Sequence, residues 1–133
     1  MALDLEVKAL VHARLKHSVA LPGPFRLTPS SNTGISFGQF GGHALLTVFL
    51  SLAFVVLCGV LVARSGSSLV AGGFMLVAAG GLANAIDRMT HQGSVTDFLQ
   101  VGSLFVCNVA DIAISIGVLV VIVQVCTGRK VLR

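Results

Sequence analysis

Residues 44–63 (ALLTVFLSLAFVVLCGVLVA) run without a charge, and so do residues 65–86 (SGSSLVAGGFMLVAAGGLANAI). Residues 104–126 carry one charge only, Asp111. About twenty helical residues at 1.5 Å each cross a hydrocarbon layer of about 30 Å, so each segment is long enough to span a membrane. In a bilayer a spanning segment must satisfy its own backbone hydrogen bonds, which makes it a helix. The chain is 55% hydrophobic and only 11% charged, proportions that fit a membrane protein better than a soluble core.

The net charge of +4 does not indicate nucleic-acid binding, since the cations sit at span ends and the chain has no Trp or Tyr. Arg64 closes the first span, and Arg129, Lys130 and Arg133 follow the last. The positive-inside rule puts these in the cytoplasm, so the far ends of the second and third spans meet on the outer side. On that assignment Lys8, Arg14, Lys16 and Arg26 also fall outside. Residues 1–20 lack the apolar core of a signal peptide. Their apolar positions recur at helical spacing, with Lys8, His12 and Lys16 on another side, which predicts an amphipathic helix. Pro22-Gly23-Pro24 is expected to stop it, and residues 25–42 read as short strands and turns. Small residues such as Gly72, Gly73, Gly80, Gly81 and Ala83 make the second span the expected central packing helix. The fold expected is a single all-α membrane domain over 1–133. It has three spanning helices, at about 44–63, 67–88 and 104–126, plus an N-terminal amphipathic helix and a small β-structure at the outer face.

Cys58, Cys107 and Cys126 all fall in apolar stretches without a pairing pattern and read as small hydrophobes. The acids carry the functional signal. Asp87, Asp97 and Asp111 lie in or beside the most apolar segments, where a carboxylate is costly. Asn84 stands three and four residues before Asp87 and Arg88, so on one helix it faces both. Asp87 and Arg88, being sequence neighbours, must each find a separate partner. Asn108, Asp111 and Ser115 share a face of the third span in the same way. Asp97 and Asp111 can therefore meet at one depth, and two carboxylates sharing a proton can activate water and protonate a leaving nitrogen. Taken singly, each acid also fits a residue that glues helices together, and a proton- or ion-conducting subunit with Asp111 as carrier is the competing reading. Asp87, Asp97, Asp111, His43 and His91 could supply metal ligands, but no two show spacing such as His-Glu-x-x-His. Neither metal nor cofactor is expected.

Four motifs occur in order: Asn32-Thr33-Gly34-Ile35-Ser36-Phe37-Gly38, Gly80 to Arg88 (GGLANAIDR), Val95-Thr96-Asp97-Phe98, and Asn108-Val109-Ala110-Asp111. Asp4 and Lys8 add an Asp-x-x-x-Lys. Together they resemble the lipoprotein signal peptidase family (signal peptidase II) of bacterial inner membranes. The resemblance implies an intramembrane aspartic endopeptidase that removes signal peptides from prolipoproteins, cutting before the diacylglyceryl-modified cysteine. It implies Asp97 and Asp111 as the catalytic pair. Asn32, Gly34, Asn84, Arg88 and Asn108 would line or brace the substrate pocket, and Asp87 would be structural. It further implies membrane lipids as surroundings, a monomer, a small extracytoplasmic β-cradle over 25–42, and four spans. The apolar part of the first span is absent ahead of Asp4, so the expectation is either a start upstream of Met1 or a shortened, inactive relative. The turn from Arg88 to Asp97 is about a residue longer than in that family, and Cys107 stands where an aromatic is common.

Overall fold

The computed structural model describes residues 1–33, 43–128 and 130–133. Helix α1 spans Ala2–Arg14, α2 Ala44–Ala63, α3 Ser68–Thr90 and α4 Val109–Cys126. Four strands, β1 (Val19–Ala20), β2 (Phe25–Asn32), β3 (Val95–Val101) and β4 (Phe105–Cys107), form one antiparallel sheet in the order β1-β2-β3-β4. Helices α2, α3 and α4 are long and apolar enough to cross a membrane. Their chain directions place α1, the sheet and the acids at one end of the bundle. At the other end lie Arg64 and the C-terminal residues, where Ser65 pairs with Leu132.

The expected architecture holds in outline, with corrections at three boundaries. The third span starts at Val109 rather than 104, because Phe105–Cys107 pairs with β3 as a strand. Strand β3, which carries Asp97, replaces a simple return from a polar turn. The N-terminal helix ends at Arg14, not near residue 20, and Val19–Ala20 pairs with β2. Of the expected β-segment 25–42, β2 accounts for Phe25–Asn32, while 34–42 fall outside the described residues. The amphipathic helix packs through a face that mixes charged and apolar residues, with Val11 buried beside Asp4 and Lys8. Asp4 and Lys8 are buried at its packed face while Leu3 and Leu10 are exposed.

Helix α3 is the central helix, as its small residues predicted, and packs against both α2 and α4. A Cβ added at Gly80 would stand 2.5 Å from the Ala110 carbonyl oxygen and 2.7 Å from Ile114. One added at Gly117 would meet the Gly73 carbonyl oxygen at 2.5 Å. The α3–α4 seam is thus closed backbone to backbone, as close helix pairs in lipid require. Because the atom in the way at Gly80 is backbone, Gly80→Ala must push α4 away at the turn that holds Asp111. We expect a destabilisation of about 1–3 kcal/mol, read as a lower melting temperature in detergent.

The lipid-facing sides are as apolar as the bilayer demands. Leu45, Phe49, Val56, Leu119 and Ile122 are all exposed. The polar interior is concentrated where the helices meet the sheet.

Candidate active site at the sheet end of the bundle

Asp111 occupies the third position of α4, inside a capping box. The Asn108 side chain accepts from the Asp111 N–H at 2.9 Å, and the Asp111 carboxylate accepts from the Asn108 N–H at 3.2 Å. This pairing satisfies two backbone donors that a helix start leaves open, and it fixes the side chain of Asp111. Its other oxygen accepts from Asn84 Nδ2 at 2.9 Å. Asp111 thus receives two N–H donors at a helix N-terminus, surroundings suited to negative charge.

Asp97 lies buried on β3, opposite Ser30 of β2. Its Oδ1 accepts from Asn108 Nδ2 at 2.7 Å and its Oδ2 from Asn32 Nδ2 at 3.4 Å. Asn108 therefore touches both acids, with its carbonyl committed to the helix start and its amide NH2 to Asp97. It is itself fully buried and also donates to Asn84 Oδ1 at 3.2 Å. Two acids on separate elements are thus both bonded to Asn108, Asp97 through its side-chain amide and Asp111 through its backbone N–H.

Burial, and then the charge of Asp111, push the Asp97 carboxyl up to about 6, against the pull of Asn108, Asn32 and Lys8 toward lower values. The folded value lies above the ordinary 3.8, so the fold favours the protonated form. Ionising Asp97 works against folding above about pH 6, and that penalty is absent below the unfolded value. Asp97→Asn should therefore melt higher than the wild type at pH 8, by up to about 3 kcal/mol in stability, with most of the gain gone by pH 4.

The remaining polar residues form a second tier behind the pair. Lys8, only 2% exposed, is bonded to Asp4 at 2.8 Å, Asp87 at 3.3 Å and the Asn84 carbonyl at 2.8 Å. Asp4 also accepts from the Ala110 N–H at 2.8 Å, tying α1 to the start of α4. Asp87 accepts from the Thr96 N–H at 2.7 Å and thereby anchors β3 one residue before Asp97. Arg88 donates to Ser51 Oγ of α2 at 3.3 Å.

The structure thus brings Asn32, Asn84, Asp97, Asn108 and Asp111 into one network, with Asp87 and Arg88 beside it on α3. Gly34 lies outside the described residues. One expectation is corrected. Asn84 turns to Lys8, Asn108 and Asp111, not to Asp87 and Arg88, because its neighbours across the bundle are closer than those along its own helix. Asp87 and Arg88 do take separate partners, as their adjacency requires. Sequence reasoning noted Asp4 and Lys8 only by resemblance, and their spacing of four gave the one physical hint of an ion pair. It quoted Thr96 within a motif but gave it no role. Cysteine 107 sits on β4 opposite Leu99, its thiol pushed up by burial and then by Asp111 and Asp97, so it is a poor nucleophile. Cys58 is buried as expected, but Cys126 is exposed.

Fold and site together define a multi-pass membrane protein with a carboxylate pair at one end of its helix bundle. The sequence profile described as Signal peptidase (SPase) II matches residues 1–127. The chain belongs to that family. It is 37% identical to a lipoprotein signal peptidase of Rhodopseudomonas palustris, over 71% of this chain and 64% of that relative. It is 33% identical to one from Halothermothrix orenii, over 97% of this chain and 91% of the relative. The match thus spans somewhat under two thirds of the first relative's length and nearly all of the second's. A solved bacterial membrane enzyme shares the fold, with a TM-score of 0.85 over 95% of this chain and 82% of its own at 23% identity.

Proposed function

We propose that this chain is an intramembrane aspartic endopeptidase that removes the signal peptide from bacterial prolipoproteins, cutting just before the diacylglyceryl-modified cysteine. The observation that carries the reading is Asn108, which donates to the Asp97 carboxylate through its side-chain NH2 and to the Asp111 carboxylate through its backbone N–H. One residue that donates to both carboxylates keeps them in one polar network, where the charge of Asp111 raises the proton affinity of Asp97.

In this reading Asp111, with its two N–H donors, is the base that takes a proton from water. The water oxygen attacks the scissile carbonyl while Asp97 gives its proton to the carbonyl oxygen. On collapse of the diol Asp111 passes the proton taken from water to the leaving nitrogen, and a diol hydroxyl returns a proton to Asp97. Asn32 and Asn84 hold the two carboxylates in place, and Arg88 braces the wall formed with α2. The site would face the outer side of a bacterial inner membrane, as the cations at the opposite end favour. The chain would act as a monomer. An ion-conducting role fits less well, because the acids cluster at one end of the bundle instead of being spread along a path.

The test is cleavage of one prolipoprotein in two forms, with and without the diacylglyceryl group, by the purified chain in detergent. Cleavage of the lipidated form only, with the modified cysteine at the new N-terminus, is the expected result. Equal cutting of both forms would remove the lipid requirement. Asp97 as proton holder also sets the pH response. The single-turnover rate should fall as pH rises through about 6, and a rate flat from pH 5 to 8 would contradict that role.

A further inference from the structure

Beside the carboxylate pair lies a cluster that the cleavage chemistry does not use. His12 from α1 and His91 from the end of α3 stack face to face, with ring centroids 4.6 Å apart and planes 8° from parallel. His91 Nδ1 stands 2.7 Å from Asp87 Oδ1. One ligand atom from each of His12, Asp87 and His91 lies within 4.8 Å of the others. All three line a cavity of about 570 Å³ between α1 and α3.

We propose that His12, Asp87 and His91 form a binding site for a divalent transition-metal ion of the Zn2+ class, which fastens α1 to α3. Two imidazoles and one carboxylate are a donor set for zinc, whereas Mg2+ and Ca2+ prefer oxygen donors alone. His91, the C-cap residue of α3, follows Asp87 by four positions and its ring reaches back to that carboxylate, so one helix end presents two ligands. The two oxygens of Asp87 divide their work. Oδ2 holds the Thr96 N–H and Lys8, leaving Oδ1 toward the histidines. The charge of Lys8 is met by Asp4 at 2.8 Å on its far side, which limits its repulsion of a cation. A fourth position opens into the cavity, where water can complete a tetrahedron.

Zinc bonds of about 2.0–2.2 Å set tetrahedral ligand atoms roughly 3.4 Å apart, so the 2.7 Å contact of His91 with Asp87 must open to admit the ion. Parallel rings also aim their lone pairs along parallel planes, so one ring must turn. Both histidines reach the surface and can turn, His12 by giving up its 2.7 Å contact with the Thr96 hydroxyl, while buried Asp87 stays fixed by the Thr96 N–H. The sequence passed over this site because its third ligand, His12, comes from a separate helix far away in the chain.

The experiment uses the full chain, free of any histidine tag, in detergent. Zn2+ at micromolar concentration should bind one ion per chain by titration calorimetry and raise the melting temperature by roughly 5 °C. Mg2+ should do neither. His12→Ala and His91→Ala should each weaken binding by at least about tenfold, since even the outer partners of a metal are worth that much. Co2+ should give the intense visible bands of a tetrahedral site, lost in both variants, and this readout holds even if one variant melts low without metal. Absence of Zn2+ binding would overturn the proposal. Binding undiminished in both variants would do the same, placing the ion at His17, His43 or Cys126 instead.

Discussion

Asp97→Asn and Asp111→Asn are each expected to lower prolipoprotein cleavage by about 10³-fold or more while leaving the chain folded in the membrane. The size follows from the division of labour between the acids. With Asp111 replaced, no carboxylate remains to take the proton from water. With Asp97 replaced, an amide stands where a proton must be given up. Asn keeps the volume of Asp and can still bond to Asn108, so the network around the site should survive. Groups that act as one unit are not additive, and the double variant should be little worse than either single one. Rates are to be measured under single turnover with a lipidated substrate. A double variant slower than either single one by the product of their two losses would mean that the acids act independently.

Lys8→Met carries the largest expected effect on stability. Lys8 is one of the most buried side chains among the described residues, and it neutralises Asp4 and Asp87, both 2% exposed. Methionine fills the space but leaves two buried carboxylates facing each other. Breaking a buried pair by removing one partner costs about 3–5 kcal/mol, and here one cation serves two acids. The damage also reaches the site. Lys8 fixes the carbonyl of Asn84, whose NH2 group holds Asp111. Asn84 freed to turn over would offer Asp111 an oxygen in place of a donor. Chemical denaturation in mixed micelles should show the loss, and adding Asp4→Asn and Asp87→Asn to Lys8→Met should recover part of it.

The carboxylate pair was legible because acids stand out in apolar sequence, and nothing in hydrophobic burial would select them. Their partners were harder to see. The helical spacing rule pairs Asn84 with Asp87 and Arg88, yet inside the bundle its contacts come from α1 and α4. Strand β3 was missed because its first four residues are all buried, which erases the alternation that marks a half-exposed strand. The run Leu104-Phe105-Val106-Cys107 is as apolar as a helix start, and only pairing with β3 makes it a strand. For α1, the sequence pattern set Lys8 apart from the apolar side, yet Asp4 and Lys8 are buried beside Val11, since the membrane accepts Leu3 and Leu10 while Asp4 needs the Ala110 N–H.

The central claim is that Asp97 and Asp111 together hydrolyse the peptide bond before a lipidated cysteine. Mass spectrometry of the products, from wild type and Asp111→Asn incubated side by side with one diacylglyceryl-modified prolipoprotein, tests it most directly. The wild type should release a signal peptide and leave the modified cysteine as the new N-terminus, and the variant should leave the substrate whole. The same cut appearing in the variant at a comparable rate would contradict the account.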